Sequence, residues 1–536
     1  MSAVSIYDTT LRDGTQAEEL SLTCEDKVRI SLKLDEFGVA YIEGGWPGSN
    51  PTDKRFFKEI ANYSLKNARV AAFGSTHNPK NKAGADANIK ALIEAATPVV
   101  TIFGKAWDIH ATLALGVSLA RNLELIADSL GALRPHCREL FFDAEHFFDG
   151  FKANRDYALA ALRAARDSGA DMLVLCDTNG GTLTHEIGEI VCAVGRELPG
   201  AALAIHAHND SGLAVANSLE AVRQGAVQVQ GTINGYGERC GNANLCAIIP
   251  CLELKMSRAC LPEGKLADLT SVSRFVSEIA NLKPFGRAPF VGDSAFAHKG
   301  GIHVSAVAKD PLTYEHIAPE LVGNKQRILL SDLAGQSNIL FKAKAYGFNL
   351  DKNDPFVLEL VTQIKERESK GYDYTTAEAS FELMLNRTLG RARRYFELVK
   401  YRVFGWKQTE IMEPLAEATV IVKVGGEEEH TASMGMGPVN ALDNALRKAL
   451  ETFYPKLKEM TLLDFKVRVL APSGAHDAGT ASLVRVLIES GDHKHDWVTV
   501  GVSHNIIEAC WQALEDSFNY KLFIDDKEKL TKALRE

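Results

Sequence analysis

The chain has 536 residues, which at about 150 residues per domain leaves room for three or four units or for one large α/β barrel with appendages, and in either case for a sizeable core. Apolar residues make up 46% and charged residues 24%, a globular balance that excludes disordered and fibrous classes. The formal net charge is −9 with no long basic block, which argues against a nucleic-acid partner, and no run of about 18 apolar residues offers a membrane span.

The N-terminal MSAVSIYDTTLRDG enters a strand pattern at once and lacks the basic-then-apolar layout of a secretory signal. Nine cysteines, scattered from Cys24 to Cys510 without a CxxC pair, fit reduced thiols better than a disulfide frame or a zinc ribbon. The expectation is a cytoplasmic protein.

From residue 4 to about 256, short apolar runs alternate with amphipathic stretches, the pattern of repeated βα units. Eight strands are predicted: VSIYD (4–8), AYIEGG (40–45), RVAAFG (69–74), VVTIFG (99–104), LFFDAE (140–145), MLVLCD (172–177), ALAIHAH (202–208) and VQVQGTI (227–233). Helices are expected after them at 23–37, 52–63, 84–95, 111–130, 154–168, 184–197, 212–224 and 242–256. Eight such units in about 250 residues match a (β/α)8 barrel; the alternative is an open doubly wound sheet. The predicted catalytic domain covers 1–280. After Ser257 the strand signal fades: 265–280 and 355–400 look helical, separated by Pro/Gly-punctuated stretches such as NLKPFGRAPFVGD (281–293), and residues 281–416 read as connecting subdomains. A C-terminal α+β unit, 417–536, carries strands at 418–424 and 430–436 with a helix from Pro438 to about Tyr454. Strands at 462–470, 481–489 and 497–503 follow, with a helix from Asn505 to about Phe518. The repeated order points to two βββα halves.

In a closed barrel the reactive groups sit at the carboxyl ends of the strands, and polar residues cluster there. The first strand runs into Asp8 to Gly14 with Arg12 and Asp13, the fifth into Asp143 and Glu145, the sixth into Asp177-Thr178, and the seventh into His206-Ala207-His208. His206 and His208 are two apart, so both imidazoles face the same side. Two inward imidazoles and a carboxylate describe a divalent-metal site, with ligands that suit Mn2+, Zn2+, Fe2+ or Co2+ and leave an open position for Lewis-acid chemistry. The competing reading is a packed histidine pair with satisfied ring nitrogens. Gly235 to Gly241 imitates a dinucleotide fingerprint, but its third glycine falls one residue late. The tract His493-Lys494-His495 reads as a polar turn, Glu427 to His430 as a solvated hairpin, and Arg391, Arg393 and Arg394 as an exposed helix face.

YDTTLRDGTQ (7–16), HAHND (206–210), GYGERCGNANL (235–245) and HKGGIHVSA (298–306) resemble the acyl-CoA condensing enzymes of the metal-dependent barrel superfamily, which includes the 2-isopropylmalate and homocitrate synthases. YIEGGWPGSNPTD (41–53) and DPLTYEHIAPELVGN (310–324) look most like its citramalate-forming branch, and the region after Glu417 is similar to the family's C-terminal regulatory domain. The resemblance implies Asp13, His206 and His208 as metal ligands, with Asn242 as a fourth ligand or close neighbour, and with Mn2+ the first expectation and Mg2+, Zn2+ or Co2+ the alternatives. It implies acetyl-CoA and pyruvate as substrates, Arg12 beside the keto oxygen and Thr178 on the substrate carboxylate. Glu145, His303 and Tyr314 are jointly implied in enolising the thioester. It further implies a homodimer and an amino-acid effector, isoleucine. Trp46 is expected to fill space that a branched 2-oxo acid would need. The alternatives are 2-isopropylmalate or homocitrate synthesis, a metal-dependent acyl-CoA lyase, and an idle amino-acid-sensing scaffold.

Overall fold

The computed structural model describes residues 3–329, 336–411, 413–470 and 482–533. The chain forms two compact units: Met1–Phe296 with Ile317–Gln326, and Ala297–His316 with Arg327–Glu536.

The first unit is the predicted closed barrel of eight parallel strands. These are β1 (Ser5–Asp8), β2 (Tyr41–Gly45), β3 (Arg69–Ser75), β4 (Val99–Lys105), β5 (Glu139–Glu145), β6 (Met172–Asp177), β7 (Leu203–Ala207) and β8 (Gln228–Gly231). Closure pairs β1 with β8, Ser5 opposite Gln228 through Asp8 opposite Gly231. Period-2 alternation sorts the side chains. Ile6, Ile42, Val100, Ile102, Leu173 and Ile205 face out into the layer shared with the helices, while Tyr7, Tyr41, Val99, Phe141, Val174 and Cys176 fill the interior. Helix Cys24–Phe37 illustrates the local logic. Thr23 and Asp26 cap its start reciprocally, and Gly38 ends it at φ 99°, a left-handed position that glycine adopts without penalty.

Two predicted helices are cut short. The stretch 111–130 divides into a π-helical turn, His110–Ala114, and helix Leu119–Leu133, because Gly116 turns left-handed and Ser118 caps a new start through Arg121 N–H. The stretch 242–256 becomes helix Leu245–Pro250 and a π-helical turn, Cys251–Lys255. Its first residues remain extended because Asn242 and Asn244 bridge to His208 and Thr232. An additional helix, Phe147–Ala153, follows β5 directly, entered through His146 at φ 54°.

The second unit opens with a parallel pair of two-residue strands, β9 (Ala297–His298) and β10 (Arg327–Ile328). It continues with helices that include Gly301–Val307, Pro355–Ser369 and Glu378–Thr388. Two antiparallel meanders follow: β11 (Glu397–Trp406), β12 (Leu415–Val424) and β13 (Glu427–Gly435), then β14 (Thr461–Leu470), β15 (Leu483–Gly491) and β16 (Asp496–Ser503). Helix Pro438–Leu450 follows the first and helix Ile506–Ala533 the second. The expected helix over 355–400 is therefore wrong at its end. ELVKYRVFGW alternates with period 2 and pairs with β12 from Glu397 opposite Lys423 to Trp406 opposite Leu415. Arg391, Arg393 and Arg394 lie in a non-helical link, and a boundary at 417 falls inside β12. The last helix runs to Ala533, well past Phe518. The predicted strand start at Ala481 lies outside the described residues. His493 and Lys494 form the turn between β15 and β16, as expected of a polar hairpin. No helix among the described residues is long and apolar enough to cross a membrane, and all nine cysteines are free.

In β16, a Cβ added at Gly501 would overlap the carbonyl oxygen of Ala509 in the covering helix and lie 2.9 Å from Gln512 Cβ. Gly501→Ala is expected to destabilise this half by about 1–3 kcal/mol, the usual cost of overpacking. A calorimetric scan of the full chain should show a lowered transition, and an unchanged scan would contradict the packing.

Candidate active site

The carboxyl ends of the strands surround a cavity of about 220 Å3 whose lining includes Arg12, Asp13, Glu145, Thr178, His206 and His208. β1 and the turn after it supply Arg12 and Asp13; Gly14 N–H, Asp13 N–H and Arg12 N–H all donate to Thr9 O and hold that turn. Arg12 donates from Nε to Glu43 Oε2 at 2.6 Å and lies 3.0 Å from Asp13 Oδ1 through Nη1. Glu43, on β2, is fully buried. Its Oε1 accepts from Tyr7 O–H at 2.9 Å, and Tyr7 in turn lies 2.7 Å from Thr101 Oγ1. A fork that binds two carboxylates at once is a guanidinium property. Burial opposes the charge on Arg12, but Asp13 and Glu43 outweigh it and raise its pKa.

Asp13, His206 and His208 present ligand atoms within 4.8 Å of one another. His206 Nδ1 lies 2.9 Å from Gln230 Oε1, so the N–H at Nδ1 donates there and Nε2 faces Asp13 Oδ2 at 3.0 Å. Two acceptors at that separation require a shared proton or a cation between them. His208 Nε2 is 3.8 Å from the same oxygen. Burial and the neighbouring His206 bring the His208 pKa down to about 4, so it is neutral and able to ligate near pH 7. Burial pushes against ionisation of Asp13, yet Arg12 holds its carboxyl well below the usual range. The neighbouring atoms are under-satisfied: His208 Nδ1 and both amide atoms of Asn242 are buried without a hydrogen-bond partner. Orphaned buried polar atoms beside a carboxylate and two imidazoles fit a divalent cation. The packed-and-satisfied reading of the pair does not account for them.

Other expected residues divide between the two units. Thr178 Oγ1 accepts from His146 N–H at 2.9 Å, which leaves its own O–H free to donate. Glu145 lines the cavity and forms an ion pair with Lys105. Asn242 is bridged to His208 across the barrel end. His303 and Tyr314 belong to the second unit, where their rings stack with centroids 4.3 Å apart and both are exposed. One wall is aromatic: Phe73 and Phe103 stack at 5.5 Å, Trp46 meets both edge-on, and Trp46 Nε1 donates to Asn88 Oδ1 at 2.6 Å. Arg12 Cζ sits 3.7 Å above the Phe73 ring. Sequence reasoning missed Glu43, Tyr7 and Gln230 as supports. The available signal was a lone carboxylate inside the apolar run YIEGG. It also assigned no task to Asp143, buried in the lining with its pKa pushed up to about 7 by burial.

The HMGL-like family matches residues 3–276, the homocitrate synthase post-HMGL domain-like family 290–371, and the LeuA allosteric (dimerisation) domain 375–522. An (R)-citramalate synthase of Geobacter sulfurreducens is 59% identical, over 97% of this chain and 98% of that one. One from Aquifex aeolicus is 55% identical over 98% and 99%. The chain belongs to the (R)-citramalate synthase family. A 2-isopropylmalate synthase of Methanocaldococcus jannaschii is more distant, at 30% identity over 96% of this chain and 94% of that one. Within the (R)-citramalate synthase family's HMGL-like barrel, β1, the turn after it and β7 with the residue beyond its end supply the Asp-His-His cluster.

Arg12→Lys is expected to lower turnover by about 100-fold or more, since an ammonium cannot hold Glu43 and Asp13 in one plane. Asp13→Ala and His208→Ala are expected to lose divalent-metal binding while keeping the barrel's far-ultraviolet circular dichroism. Calorimetric metal titration of each variant is the check, and wild-type affinity in either contradicts the cluster as a metal site.

Proposed function

We propose that this protein condenses acetyl-CoA with pyruvate and hydrolyses the resulting thioester, giving (R)-citramalate and free CoA. The observation that carries the reading is the spread of relatives: five named (R)-citramalate synthase are 46–59% identical over nearly the whole chain, against 30% for a 2-isopropylmalate synthase. The aromatic wall supports it independently, because Trp46, Phe73 and Phe103 take up room beside Arg12 that a branched side chain would occupy.

Asp13, His206, His208 and Asn242 are the proposed ligands of the metal, for which we propose Mn2+; bound there, it supplies Lewis acidity toward a 2-oxo acid. Arg12, pinned on two carboxylates, directs its remaining N–H groups at charge developing on the keto oxygen. Thr178, with its oxygen already accepting from His146, donates to the substrate carboxylate. Glu145 takes a proton from the acetyl methyl group, and the carbanion so formed adds to the ketone carbon. Water then cleaves the acyl thioester, which makes the condensation effectively irreversible. His303 and Tyr314 are proposed to assist at the thioester.

The C-terminal unit is proposed to dimerise the enzyme and to bind isoleucine as a feedback inhibitor. Two βββα halves and the match to an allosteric dimerisation domain support this, as do the solvent-exposed apolar side chains of edge strand β14, Leu462, Leu463, Val467 and Val469. Inhibition requires that the amino acid bind two states of the enzyme with different affinity.

Thiol release from acetyl-CoA is the test of substrate, run with Mn2+ against pyruvate, 2-oxobutyrate, 2-oxoisovalerate and 2-oxoglutarate. Pyruvate is expected to give the highest kcat/KM, and a preference for 2-oxoisovalerate would contradict the reading. Trp46→Ala should shift the ratio toward 2-oxobutyrate by about 10-fold or more, the discrimination available from one methylene. Isoleucine is expected to inhibit the full chain and to raise its melting temperature; neither effect with isoleucine, leucine or valine would remove the feedback role.

A further inference from the structure

Glu145 closes β5, and its carboxylate reaches the cavity. Directly opposite in register, at the end of β4, stands Lys105. The Lys105 ammonium pairs with Glu145 Oε2, and this is the one side-chain hydrogen bond to Glu145 found among the described residues. The other carboxylate oxygen is left for the cavity. Both side chains are mostly buried, at 17% and 23% exposure. The pair is therefore neither a freely solvated surface bridge nor a sealed one.

The lysine is itself held. Its carbonyl accepts from the side-chain amide of Asn122 at 2.8 Å, and that fully buried amide also donates to the Tyr157 hydroxyl oxygen at 2.7 Å. Ala106 N–H, the next residue, donates to Glu145 O at 3.2 Å and continues the ladder past the strand ends. The ammonium lies 5.3 Å from the ring of Phe103, which lines the cavity. Two other cations of the rim are committed elsewhere. Arg12 is bound to Glu43 and Asp13, and Arg239 to Asp210 and the carbonyl of Thr178.

Resting on the reading of Glu145 as the base, we infer that Lys105 is the positioning residue for that base. It fixes one carboxylate oxygen so that the other faces the acetyl methyl group. That direction matters, because a general base displaced by about 1 Å costs about 100-fold in rate. Lys105 touches no substrate in this account and acts only through Glu145.

The test is a double-mutant cycle on the full-length, metal-loaded enzyme, with kcat and KM for pyruvate measured separately. Lys105→Met is expected to lower kcat by about 100-fold with KM for pyruvate unchanged, and Lys105→Arg to recover most of the loss. The double variant with Glu145→Gln should be no slower than Glu145→Gln alone, since a residue that acts through another has nothing left to do once the other is gone. Circular dichroism and metal titration qualify each protein, and Lys105→Gln replaces the methionine variant if that one does not fold. Wild-type kcat in folded Lys105→Met or Lys105→Gln, or losses that multiply in the double variant, would overturn the inference. Wild-type activity of Glu145→Gln would instead overturn the assignment of the base.

Discussion

The barrel rim is organised by one buried guanidinium. Arg12 sits between Glu43 and Asp13 and ties the carboxylate of the metal cluster to the barrel interior. Glu43 is tied back through Tyr7 to Thr101, so β1, β2 and β4 are stitched across the barrel interior by a chain of hydrogen bonds. Asp13 is turned toward His206 and His208. Buried charge is costly unless compensated, and here the carboxylates outnumber the guanidinium. Protonation of His206 or a divalent cation restores the balance. The same network that buries these charges thus offers a cation its place beside Asp13.

The barrel makes this possible because its strands end at one rim. β1 and β7 do not pair with one another, yet Asp13, just past the end of β1, meets His206 of β7 and His208 just beyond its end. The glycine-rich loop 235–241 adds Asn242 by returning its chain to His208, with Gly235, Gly237 and Gly241 all at positive φ. Gly237 approaches so closely that an added Cβ would lie 3.0 Å from Asn242 Cγ. The loop that resembles a dinucleotide fingerprint serves here to seat an amide.

Much of this was legible in the sequence because the barrel repeats one local rule. An apolar run followed by an amphipathic run gives a βα unit, and the polar residue after each apolar run marks the rim; Asp13, Glu145, Thr178, His206 and His208 were found that way. Glu43 was not, because within YIEGG it looked like part of the strand, and its task depends on Arg12, 31 residues away. Lys105 was passed over for the same reason: its significance lies in its register with Glu145, and register is a property of the closed sheet. The first residues of strand Glu397–Trp406 were read as the end of a helix, and the rest of it was given no element, since its charged residues hid the period-2 pattern, which an edge strand shows only weakly when one face is open to solvent.

The account's central claim is that a divalent cation bound at Asp13, His206 and His208 is required for carbon–carbon bond formation. The direct measurement is free thiol released from acetyl-CoA and pyruvate by protein stripped of metal, then titrated with Mn2+. The account predicts no release from the stripped protein and full recovery at one ion per chain. Undiminished release after exhaustive stripping would contradict it.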